Sequence, residues 1–223
     1  MIAERSGDVV IVASEVRVAT FTQLWLVDKA VLPREMLADS IFTPMVVNAA
    51  TQDVQLTVVP NRIQIASRRP EGIPEVARTA SRFLEAADSA IGVSAVGINY
   101  RFVLTGENAD AFAARTERLV GDLPSLESFK KGQKPRFGIS AIRVDGKIRT
   151  QLEVSPVHAF PAGVEAVLVS VNSQLDTSSR QEAIADLLNR SEDLKSTAEL
   201  IATSVDKDLT KASLEFRVGI LRC

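Results

Sequence analysis

The sequence predicts an α+β fold in which a large, mostly antiparallel sheet is covered by two or three helices. Three observations lead there. Short runs rich in β-branched side chains recur along the chain and are separated by turn chemistry. Two longer stretches carry apolar residues at three- and four-residue steps. An Asp-Gly step sits between two alternating runs, the strongest short-range hairpin signal.

Val9 to Val18 and Phe21 to Val31 are β-branched and aromatic enough to be read as two strands, ended by Pro33. Pro44 to Ala49, Val54 to Val59 and Arg62 to Ala66 follow as a meander, the last two joined at Pro60-Asn61. Pro74 suits the first turn of a helix, where its missing N–H would be unpaired anyway. Val76, Ala77, Ala80, Phe83, Leu84 and Ala87 then share one helical face. Val93 to Leu104 is the next strand, with Tyr100 and Phe102 on one face and Asn99 and Arg101 on the other. A shorter helix capped by Asn108, carrying Phe112, Leu119 and Val120, is expected to end at Gly121.

Residues 122–135 hold two prolines and a glycine, the composition of a linker or long loop. The expected organisation is therefore an N-terminal half, 1–121, and a C-terminal half, 136–223, which together can form one compact domain. Phe137 to Arg143 and Lys147 to Val154 form the hairpin around Val144-Asp145-Gly146. Val164 to Val171 is another strand. Ser179 and Glu182 have capping-box spacing, so a long helix starts there and its apolar stripe runs from Ile184 to Val205. Leu214, Phe216, Val218 and Ile220 alternate with polar residues and predict a closing strand. Each half then contains the order β-β-β-α-β, which makes two related halves a further expectation.

The chain offers little catalytic vocabulary. Its single histidine, His158, lies between prolines, and its single cysteine, Cys223, permits no intrachain disulfide or cysteine-based zinc site. Gly92-Val93-Ser94-Ala95-Val96 and Gly138-Ile139-Ser140-Ala141-Ile142 each lack the last glycine of a nucleophile elbow. No phosphate-cradling glycine motif occurs. Asp145-Gly146-Lys147 is explained by turn geometry rather than metal chemistry. No cofactor or metal is expected. Were the protein an enzyme, His158, Glu107 or Asp110 would have to line a concave site.

Charge is unevenly spread. Net charge is −2, yet Lys130, Lys131, Lys134, Arg136, Arg143, Lys147 and Arg149 face only Asp145 within residues 130–149, a local balance of +6. Residues 176–208 carry eight acidic side chains against four basic ones. Those seven basic residues form the candidate interaction surface, with three readings open: a solvated face, a hairpin meeting the acidic helix of a second copy, or a ribbon gripping phosphate. The expected role is a non-catalytic binding or assembly protein acting through protein–protein contacts or self-association. A nucleic-acid binder using the basic hairpin is the alternative, and an enzyme with a scattered-residue site is the second. The run Val9 to Ala13 is far shorter than a membrane span, and a cytoplasmic setting without membrane contact is expected.

Overall fold

A computed structural model describes residues 2–35, 40–87, 91–105, 112, 138–157 and 166–220, with side chains as far as residue 207, those of residues 3 and 4 excepted. The described strands are β1 (Ile2–Ser14), β2 (Ile41–Phe42), β3 (Val47–Ala50), β4 (Val54–Val59), β5 (Arg62–Ser67), β6 (Gly92–Thr105), β7 (Ile139–Asp145), β8 (Ile148–Val157) and β9 (Ala166–Asp176). They form one antiparallel sheet in the order β2-β3-β4-β5-β1-β6-β9-β8-β7. Among the described residues three α-helices accompany it: α1 (Gln23–Asp28), α2 (Ile73–Ala86) and α3 (Arg180–Ile220). The α+β architecture with a large antiparallel sheet is thus the one the sequence predicts. The expected helix over 108–121 and linker over 122–135 lie outside the described residues, Phe112 excepted.

Strict alternation gives the sheet two different faces. Val9, Ile11, Leu56, Val58, Ile63, Ile65, Ile98 and Val169 are buried beneath α2 and α3. Their neighbours along each strand point the other way, onto a face that no described helix covers. Burying one face of the central strands under helices supplies the main driving force, at roughly 25 cal/mol per Å² of apolar surface.

The strand order reveals a repeat. β1 and β6, 13 and 14 residues long, lie side by side at the centre. Each is followed by a three-strand meander, β3-β4-β5 or β7-β8-β9, whose last strand folds back beside it, and then by a helix on the buried face. An approximate two-fold axis normal to the sheet therefore relates the two units. Aligning Ser14 with Thr105, the last residues of the two long strands, makes Asp8 the counterpart of Asn99, and the register pairs these two with each other. The axis passes through that pair.

Two predicted strands prove to be helical. The segment Phe21 to Val31 forms α1: the Thr22 hydroxyl accepts from the Trp25 N–H at 3.2 Å, and the helix ends with Ala30 at φ 52°. There the Ala30 and Val31 N–H groups donate to Val27 and Leu26, a Schellman closure. α1 buries Leu26 and sets Trp25 against Phe21 and Phe83, with ring centroids 4.9 and 5.8 Å away. β-branched composition misled because local capping decided the conformation. The segment Leu214 to Ile220 continues α3 instead of forming a strand. Phe216 and Ile220 are four apart, a helical spacing as well as a multiple of two, and residues 207–213 contain no glycine or proline to end the helix. The second unit accordingly lacks a closing strand, and β1 leads the first unit as β6 leads the second.

Candidate functional site

The uncovered face of the sheet is polar at its centre. Asp8 enters from β1 beside Val9, where the pleat turns it away from the helices, and it is only 2% exposed. Its carboxylate is fully engaged. Asn99 Nδ2 donates at 2.9 Å, Arg101 Nη1 at 2.9 Å and Gln64 Nε2 at 3.2 Å. A buried carboxylate without such donors would be costly, so these three partners are what allow Asp8 to sit there. The side chain of Arg101, on β6, remains 43% exposed.

Beside this cluster lies an open trough of about 390 Å³. Gly97 and Ala95 on β6 keep its floor low, while Arg62, Arg101, Asn172 and Gln174 stand around it. A side chain at Gly97 would be free to project into the trough: an added Cβ would meet only Val10, its main-chain oxygen at 3.8 Å and its Cβ at 3.9 Å. The glycine is therefore not demanded by the backbone, and its effect is to leave space.

Carboxamides recur across the same face. Gln55 donates to Asn48 at 2.7 Å, Gln151 to Ser140 at 3.4 Å, and Gln174 to Asp176 at 3.0 Å. Arg62 donates to Gln64 at 2.8 Å. The cross-strand row Asp8, Asn99, Asn172, Gln151 runs from the centre toward the β7 edge. The carboxamides of this row donate and accept at once, and they carry no net charge. Among the described residues no cluster of His, Cys, Asp or Glu is arranged to hold a metal ion.

The predicted basic surface is only partly within the described residues, because Lys130, Lys131, Lys134 and Arg136 lie outside them. The remaining three diverge. Arg143 lies on the helix-side face of β7 and meets Asp145 at 3.7 Å. Lys147, in the β7–β8 turn, binds Glu182 at the start of α3. Arg149 belongs to the uncovered face, opposite Gln174. The contact between basic hairpin and acidic helix thus exists within one chain. Glu182 benefits from it: the hydrogen bond from Lys147, then those from the Ser178 N–H and hydroxyl, hold its carboxyl down at about 2.

His158, Glu107 and Asp110 lie outside the described residues. Gly92 to Val96 opens β6, where an irregularity in the β1 register leaves Ser94 bonded to the Val12 carbonyl at 3.3 Å. Gly138 to Ile142 runs into β7. In the hairpin the two turn residues are Gly146 and Lys147, and only Gly146 has a positive φ, 58°, the pattern of a type II′ turn. The split of Asn99 and Arg101 from Tyr100 and Phe102 is as predicted, with the aromatic pair buried and the polar pair at the trough.

Sequence reasoning missed Asp8 and the trough. The available signals were a lone acidic residue leading the apolar run Val9 to Ala13 and a glycine inside a strand, which often marks close approach of another backbone. No family model matches the chain, and no curated protein matches it. Among the described residues, no helix is long and apolar enough to cross a membrane.

Proposed function

We propose that the protein is a non-catalytic binding protein that receives a polypeptide segment on the uncovered sheet face, seated in the trough beside Asp8. The observation that carries this reading is the chemistry of that face. Seven carboxamides from six strands stand on it, Asn48, Gln55, Gln64, Asn99, Gln151, Asn172 and Gln174, each offering a donor and an acceptor in a plane, as a peptide group does. A phosphate-gripping surface would instead concentrate Lys and Arg. Of the three described arginines on this face, Arg62 donates to Gln64, Arg101 is already neutralised by Asp8 and Arg149 stands apart on β8, and no lysine stands on the described strands of the face. A cytoplasmic setting belongs to the same reading and is supported by a chain with one cysteine.

Gly97→Phe tests it, because the new ring fills the trough without a backbone clash and phenylalanine suits a strand. Peptides selected from a displayed random library on the wild-type protein should bind Gly97→Phe at least about tenfold more weakly, or roughly 1.4 kcal/mol. The thermal midpoint should stay unchanged. Peptides that bind both proteins equally would overturn the proposal, as would a selection that enriches none while an oligonucleotide binds in a salt-dependent manner.

A further inference from the structure

The two edges of the sheet are unlike one another. At one end β2 is only two residues long, a blunted edge that offers little to a partner. At the other end β7 runs seven residues, all of them exposed, and pairs with β8 without a bulge. Among the described residues nothing pairs with its outer side. β7 contains no proline and no lysine, devices that usually protect an edge, and its two charged residues, Arg143 and Asp145, lie on the helix-side face and meet each other at 3.7 Å. Instead it shows solvent three large apolar side chains, Ile139, Ile142 and Val144, with Ile142 54% and Val144 69% exposed.

We infer that β7 pairs with β7 of a second copy, antiparallel and centred on Ile142, so that two nine-stranded sheets become one. This surface is separate from the trough and independent of what the trough binds. The sequence of β7 is self-complementary about that centre. Ile142 meets its own copy, and Val144 meets Ser140 of the other chain, all on the uncovered face. On the other face Arg143 meets Ala141, and Asp145 meets Ile139, so no like charges stand directly opposite each other. The main chain agrees. In a two-residue hairpin the pair flanking the turn, Asp145 and Ile148, exchanges both hydrogen bonds, and every second residue beyond turns its N–H and C=O outward. Those are Val144, Ile142 and Ser140, the same three residues the two-fold brings together, which gives roughly six new main-chain hydrogen bonds. A second copy is favoured over an unrelated strand because this register satisfies side chains and main chain at once.

The full chain and two variants decide the matter by light scattering during size-exclusion chromatography over a concentration series. The wild type should show a dimer in equilibrium with monomer. Ile142→Lys and Ile142→Glu, which each place like charges face to face at the two-fold, should both be monomeric with unchanged circular dichroism. Mixing the two variants should restore a dimer holding one chain of each. A monomeric wild type at all concentrations, a dimer that survives either substitution, or a mixture that stays monomeric would each overturn the pairing.

Discussion

Tyr100, the only tyrosine in the chain, shows how one residue ties the sheet to its helical cover. Its ring is buried on the helix side of β6 and its hydroxyl donates to the Ser191 carbonyl of α3 at 3.0 Å. Burial, followed by the carboxylates of Glu192 and Glu199, pushes its phenol well above the ordinary value of 10.0. The neutral form is favoured in the folded state, so this contribution to stability is complete below pH 10 and is lost as the pH rises further. Over that alkaline range the loss is about 1.4 kcal/mol per pH unit. Tyrosinate absorbance of the native protein should appear only on alkaline unfolding, and Tyr100→Phe should flatten the decline of stability above pH 10. A tyrosinate signal rising near pH 10 with the helix signal intact would contradict this placement. The two faces of residues 99–102 were legible from alternation alone. The role of Asp8 was not, because its three donors come from positions 64, 99 and 101, and only strand order brings those together.

At the scale of elements, legibility follows local determinants. The β7–β8 hairpin and the starts of α2 and α3 were readable because a turn glycine, a first-turn proline and a capping serine each act within a few residues. The fate of residues 21–31 and 214–220 was not, since composition favoured strand and capping or helix propagation prevailed. The start of α3 differs in detail from the predicted capping box. Ser179 Oγ accepts from the Glu182 N–H at 3.2 Å, while the Glu182 carboxylate accepts from the N–H of Ser178 at 2.8 Å, one residue earlier. That carboxylate also binds Lys147, so the β7–β8 turn and the helix start share an anchor. The depressed Glu182 value means that this contribution is present above the ordinary value of 4.5 and is lost as the pH falls through about 2. An NMR titration of the Glu182 carboxyl should give a midpoint near 2. Lys147→Ala removes the largest cause and should move the midpoint toward the ordinary value. An unchanged midpoint would mean that the two Ser178 bonds alone hold the carboxylate down.

For the molecule as a whole, the two-fold repeat raises the question of whether its units are independent. The structure argues that they are not. The seam between them is the β1–β6 ladder, running from Ile2 opposite Leu104 to Ser14 opposite Gly92, the most extensive pairing in the sheet. α2 and α3 also pack on one another, and buried residues of both units belong to a single core. Separating the units would expose two long central edges and split that core, so local unfolding of one should drag the other with it. The seam joins residues about ninety positions apart, and such distant pairing forms slowly, after loop closure has been overcome. The chain carries a natural probe of each unit. Trp25 lies in the aromatic cluster of the first, while α3 of the second supplies most of the described helical signal. Urea unfolding followed by tryptophan fluorescence and by far-ultraviolet circular dichroism should therefore give coincident transitions with one midpoint. If Trp25 fluorescence changed at a lower urea concentration than the helix signal, the first unit would be opening alone, and the β1–β6 seam would not be the element that holds the two units together.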